Sequence, residues 1–422
     1  MAPFGFSPFS GSEDPEEMKK NIEAAFAQLG ITPAGFLEQF NSGASELTLP
    51  ENIAREIAKK FVNARGFHPV GSKDLNEIQE AMAIADTWLN EATLFPANFA
   101  HLSDGKNIYT RADWVDATIA GWQLTVEPLA SGLAKAMGSV VDQQELPEGA
   151  PPIAAIAGML RTFIGTLLAT QLGQSIGALA TGVTGLHDVG LPLVHPSRPG
   201  LLPENIEEWG ADIGVDLSQV RIFHALREGA VARLFDNNPW LIDYLRGAIG
   251  EYGNGIHIDV QQIQSQAQEA FESGAIDPSN PESFTIALNQ GLFTPDESVE
   301  QRSALAKLET ALALIDGWAD DVVTLASGDR LPALNSLRET LRRRRATSSP
   351  TQQLFASLFG LEVSPRMSRE ASTFWSELRT LKDIQTRDHV WSGILPTQDE
   401  LTDPAGYLRS IEIPDDLSTL GK

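Results

Sequence analysis

Apolar residues recur at steps of three and four along residues 15–29, 51–65 (ENIAREIAKKFVNAR) and 73–93 (KDLNEIQEAMAIADTWLNEAT). That spacing lines one face of an α-helix and predicts three amphipathic helices. Thr110-Arg-Ala-Asp113 has the form of a capping box. It opens a helix carrying Trp114 and Trp122, which Pro128 bends or ends. Ser218 can cap a further helix running to about Phe235, where Asp-Asn-Asn-Pro breaks it. Its apolar positions (Val220, Phe223, Leu226, Ala230, Val231, Leu234, Phe235) cover more than one face, so this helix is expected to be largely buried. Thr294-Pro295-Asp296-Glu297 supplies an N-cap, a first-turn proline and an acid for a helix reaching about Ala326. The best strand signal, residues 255–260, is short. The chain therefore reads as mainly α with little β structure. Residues 1–16 have no period and read as a flexible tail, whose Phe4, Phe6 and Phe9 are either a docking motif or loosely lying aromatics. The expected organisation is that tail, a helical region over 17–104 and a core domain over 105–422.

Residues 162–186 carry no formal charge, yet contain Gln171, Gln174, Ser175 and the glycines at 165, 173, 177, 182 and 185. That is poor composition for facing hydrocarbon, so no membrane span is expected. Gly165, Ala169, Gly173 and Gly177 form a smooth stripe on which another backbone can settle, either inside the chain or in a homo-oligomer.

Charge and composition narrow the function. Lys+Arg 31 against Asp+Glu 56 gives −25 and a pI near 4.6, which argues against nucleic acid as the main partner. The N-terminus lacks a basic region followed by an apolar run, so the expected location is cytoplasmic. Cysteine is absent, which removes disulfides, thiolate nucleophiles and Cys-ligated metal centres. There is no P-loop, no GxGxxG after a strand and no G-x-S-x-G elbow.

Among the ionisable residues inside the helix expected to be buried are His224, Arg227 and Glu228. Charged groups there need partners. With Val231 they fall within roughly a third of the helix circumference.

Here the sequence resembles a known family. Residues 227–241, REGAVARLFDNNPWL, align without gaps to an H-E-x-x-H-x-x-x-F-x-x-x-P-W-L pattern. The pattern belongs to an actinobacterial zincin-like family of unknown function that is grouped with zinc-dependent metalloproteases and hydrolases. Further blocks agree in order: GLLPENIEEWG, the Asp188-Val189 pair, ALIDGWADDVV, LFASLFGLEVSPRMSREASTFW and HVWSGILPTQDELTDPAGYL. The likeness spans roughly residues 105–410 and implies a zincin-like helical core. In such a site two histidines one turn apart hold zinc, a glutamate is the general base, and a downstream acid completes the ligands. The resemblance maps these roles onto Arg227, Glu228, Val231 and Asp316. Arginine has no lone pair to offer and valine no ligand atom, so both ligating imidazoles are lost.

Three readings follow. His224, Glu228 and Asp316 form a shifted metal site; or His224 is a core histidine; or Arg227 stands in for the lost cation and pairs with Asp316, which lies on an apolar stripe where a lone carboxylate is expensive. The basic run of Arg338, Arg342, Arg343, Arg344 and Arg345 is either an anion or partner patch or a solvated helix end. His187 and the remaining histidines show no ligand spacing. The expected function is that of a degenerate zincin-like protein acting as a binding or scaffold protein, with a protein partner and no cofactor. The alternative is a hydrolase or peptidase that retains zinc through an altered ligand set, with Glu228 as base.

Overall fold

A computed structural model describes residues 49–66, 69–98, 107–142, 153–256, 298–347, 354, 356 and 367–411. Twelve α-helices account for most of them: α1 Glu51–Ala64, α2 Ser72–Leu89, α3 Arg111–Asp142, α4 Ile153–Ala180, α5 Pro203–Gly210, α6 Leu217–Asn237, α7 Trp240–Asn254, α8 Val299–Ser327, α9 Leu334–Thr347, α10 Ser368–Leu381, α11 Ile384–His389 and α12 Pro404–Ile411. Regular strands are absent among the described residues. The extended structure consists of isolated bridges that join Leu201 to Ile108 on one side and to Gly185 on the other. The protein is mainly α. The tail 1–16 with Phe4, Phe6 and Phe9, the helix expected over 15–29 and the Thr294 cap lie outside the described residues, as does all but the first two residues of the 255–260 strand.

The chain divides into two compact units: residues 1–50, 129–168 and 253–298 form one, and residues 51–128, 169–252 and 299–422 form the other. The second holds every residue of the site described below. At its centre lies α6, buried from Val220 to Phe235 except at Ile222. The apolar residues on more than one face explain this, since no side of the helix tolerates water. Helices α2 and α8 pack against it, and α10 packs against α8. Two glycines allow these close crossings. A Cβ on Gly229 would meet Leu89 Cδ1 at 2.8 Å, and one on Gly317 would meet the α10 backbone at 2.6 Å. Asp316 therefore sits at a helix crossing.

Local signals explain the helix ends. The Thr110–Asp113 box forms, with Thr110 N donating to Asp113 Oδ2 and Asp113 N donating to Thr110 Oγ1, both at 3.1 Å. Helix α3 continues through Pro128 to Asp142 rather than stopping there. For α6 the cap is Asp216, not Ser218: the Asp216 carboxylate accepts from Ser218 N at 2.8 Å, and the helix starts at Leu217. An aspartate two residues earlier outcompetes the serine because an ionised acceptor also favours the positive end of the helix dipole.

The small-residue stripe is used inside the chain. At Gly173 a Cβ would lie 2.5 Å from Ala54 O, and at Gly177 2.7 Å from Phe61 Cβ, so α1 lies directly on α4 there. These two positions offer no surface to a second copy. Gly173→Ala is expected to lower stability by about 1–3 kcal/mol, read as a shift in urea midpoint. A shift of a few tenths would mean the crossing is looser than described. No helix among the described residues is long and apolar enough to cross a membrane.

Candidate functional site

Glu228 lies on α6 opposite two loop segments, residues 184–189 and 197–201. Both oxygens of its carboxylate are engaged. Oε1 accepts from Leu186 N (3.1 Å), Gly200 N (3.0 Å) and His187 Nδ1 (2.8 Å), and Oε2 accepts from His187 N (3.0 Å). The side chain is 4% exposed. Residue 185 must be glycine, because a Cβ there would stand 2.3 Å from Glu228 Oε2. Behind His187, Nε2 lies 2.9 Å from Ser197 Oγ, which also donates to Ala232 O at 3.1 Å. The two loops are tied to each other as well, with Leu202 N donating to Thr184 O and Leu186 N also donating to Gly200 O, each at 3.0 Å. Glu228 is thus the anion of a backbone nest, holding two loops on the central helix.

Arg227, one residue earlier, turns to α8. Its guanidinium donates to the Asp316 carboxylate and stands 4.0 Å from Asp320. Asp316 also accepts from Arg345 on α9. Arg345 reaches further, to Asp188 Oδ1 and Asp188 O, each at 3.1 Å. Burial would raise the Asp316 pKa, but Arg345 and Arg227 outweigh it and hold the carboxyl well below the usual range. Burial works in the same sense on Asp188 and is likewise overcome, chiefly by Arg345. Burial pushes the Arg227 pKa down against the opposing pull of Asp316.

His224 completes the group. Its Nδ1 lies 3.0 Å from Thr184 Oγ1, and that hydroxyl donates to Asp188 Oδ2 at 3.1 Å. A hydroxyl has one hydrogen, so Nδ1 must carry the imidazole proton, and Nε2 is left as a bare acceptor. Among the described residues this buried Nε2 has no hydrogen-bond partner. Burial pushes the His224 pKa down to about 3, helped by Arg227, Arg345 and Arg344 and opposed by Asp188. The ring is neutral near pH 7 and meets Trp209 edge-on at 4.6 Å.

The structure thus brings Arg227 and Asp316 together, but it does not gather His224, Glu228 and Asp316 around one point. Among the described residues, three His or acidic groups with ligand atoms mutually within 4.8 Å come together at Asp74, Glu77 and Glu207, outside the motif. Arg221 pairs with two of these, Glu77 at 2.7 Å and Glu207 at 3.2 Å. The five basic residues of α9 are not a solvated end as a whole. Arg338 and Arg342 bind Asp320, Arg345 binds Asp316 and Asp188, and Arg344 donates to Trp209 O at 2.9 Å. Arg343 is exposed and pairs with Glu339 on its own helix. The sequence reading missed His187; its one signal was the His-Asp pair just after Gly185.

A cavity of about 20 Å³ lies among Thr184, His187, Asp188, His224, Arg227 and Glu228, with Leu341 and Arg345 of α9 in its wall. That is room for one water, not for a peptide. The residues do not fit a catalytic zinc. Such an ion needs three protein ligands with free lone pairs. Arg227 and Val231 have none to give, both Glu228 oxygens are already tied to N–H donors, and Asp316 is held by two guanidinium groups, so the bare Nε2 of His224 falls short of a ligand set.

Comparison with known proteins bears on this site. The family model described as zincin-like metallopeptidase matches residues 51–408, beginning well before the residue-105 limit of the sequence resemblance. A crystal structure of a candidate hydrolase with a novel fold from Chloroflexus aurantiacus is similar, with a TM-score of 0.57. The match covers 87% of this chain and 100% of that one at 17% identity, so the likeness speaks to fold alone. No curated protein matches.

Proposed function

We propose that this chain, which belongs to the zincin-like metallopeptidase family, works as a binding or scaffold protein whose motif positions serve structure instead of zinc chemistry. The observation that carries this reading is the state of Glu228. A general base must be free to take a proton from water. This carboxylate instead accepts from three backbone N–H groups and an imidazole. Arg227 supplies the fixed positive charge opposite Asp316. The ligand we expect is another protein, met in the cytoplasm.

A second reading keeps the family activity: a metal-dependent hydrolase with an altered ligand set. The bare Nε2 of His224 favours it, being a buried lone pair without a partner. It would require Asp316 to leave two arginines and Glu228 to leave its nest.

Metal analysis of protein purified without chelator separates the two. We expect zinc well below one equivalent per chain. Close to one equivalent, lost in His224→Ala or Asp316→Ala, would sink the binding reading.

A further inference from the structure

Helix α9 buries only Leu334, Leu337 and Leu341. Arg338, Arg342 and Arg345 follow at i, i+4 and i+7, so they lie along one face. Each reaches a carboxylate on another element: Arg338 Nε donates to Asp320 Oδ1 (2.8 Å), Arg342 Nη2 to Asp320 Oδ2 (2.8 Å), and Arg345 to both Asp316 and Asp188. Arg344 adds a cation–π contact, 4.7 Å from the Trp209 ring centroid. Leu341 and Arg345 form part of the wall of the cavity beside Glu228. Without α9, the carboxylates of Asp316 and Asp320 would share the guanidinium of Arg227, and Asp188 would lose its ion pair with Arg345.

We propose that α9 is a releasable clasp, an internal ligand seated in an arginine-recognising groove. The groove's partner in trans is a helical protein segment carrying arginines at the same i, i+4, i+7 spacing. The inference rests on the binding reading above and names the chemistry of the partner. Guanidinium–carboxylate pairs give the groove its selectivity, since the planar fork of arginine matches a carboxylate and lysine does not. Release is feasible because the clasp is more ionic than apolar, and its arginines are part-exposed: 19% at Arg338, 33% at Arg342 and 24% at Arg345. The −25 charge of the chain steers a basic segment toward it.

The absence of cysteine makes a direct test available. Val231 lines the cavity and Val126 on α3 is fully buried, so Val231→Cys reports opening of the clasp and Val126→Cys reports global unfolding. Labelling of the full chain with dithiobis(nitrobenzoate) is expected to be faster at Val231→Cys than at Val126→Cys. Adding Arg345→Gln removes a contact made only in the closed state, so it should speed the first about tenfold or more, as expected for loss of a charge-assisted contact, with the first still faster than the second. Arg342→Gln, at a more exposed position, makes the same comparison if Arg345→Gln fails to fold. A synthetic peptide of residues 334–347 should slow Val231→Cys labelling in these variants, and its all-glutamine analogue should not. Equal rates at the two cysteines in every variant would overturn the clasp; a peptide without effect would overturn the arginine groove. Neither readout involves metal or turnover, so a zinc result that sinks the binding reading remains a separate outcome.

Discussion

Replacing Glu228 with glutamine is expected to destabilise the protein by about 1.5–3 kcal/mol, the range for losing hydrogen bonds to a charged group and leaving a buried donor unpaired. The amide can offer one oxygen, while its NH2 group must point at donors. At least one of the backbone N–H groups of Leu186, His187 and Gly200 then faces another N–H in a buried space. The loss should extend to the loops, because Glu228 pins residues 185–187 and 200 to α6. A general base predicts otherwise: its conservative amide loses turnover while stability is kept or improved. Urea titration followed by tryptophan fluorescence decides between them, and a loss under 1 kcal/mol would mean Glu228 is not the anchor described here. Glu228→Gly sharpens the test, since it leaves a carboxylate-shaped space lined with donors. Formate should recover part of the lost stability in that variant and should do nothing for the parent protein.

Much of the helical architecture was legible because it is written as periodicity. Steps of three and four located α1 and α2, and a cap signal with an all-round apolar pattern marked α6 as largely buried. The pairing of Arg227 with Asp316 was readable as a demand, since a carboxylate on an apolar stripe needs a counter-ion. The engagement of Glu228 was not readable. Its partners are backbone N–H groups, which every residue but proline possesses and which leave no mark on the sequence. His187 was passed over because ligand spacing was sought along the helix, whereas His187 arrives from a loop 41 positions away. The α9 run looked like a solvated helix end because basic residues near a C-terminus usually are. Its i, i+4, i+7 face carried the information, but Asp320 and Asp188 bore no signal as its targets.

Asp316→Asn is expected to lower stability by about 3 kcal/mol, at the low end for a broken buried pair because the carboxylate is one-fifth exposed. The variant leaves two guanidinium groups facing a neutral amide. Arg345 retains Asp188 at 3.1 Å, whereas Arg227 retains only Asp320 at 4.0 Å, so Arg227 bears most of the loss. Burial raises the Asp316 pKa, but Arg345 and Arg227 overcome it, and the folded value lies below the unfolded value of about 3.9. In the window between those two values the unfolded chain binds the proton and the folded protein does not, so stability increases with pH. The contribution of Asp316 is therefore complete above the unfolded pKa and is lost as pH falls through the folded one. Asp188 and Asp320 are lowered as well and share this acid limb. Stability measured from pH 7 down toward pH 3 should thus fall in the parent and fall less steeply in Asp316→Asn. The partnership itself is tested by removing both ends. If Arg227 is the residue stranded by Asp316→Asn, adding Arg227→Met should recover about 0.5–3 kcal/mol relative to the sum of the single losses. Strictly additive losses would show that Arg227 does not depend on Asp316, and the claim that its guanidinium stands in for a cation at this position would fall with it.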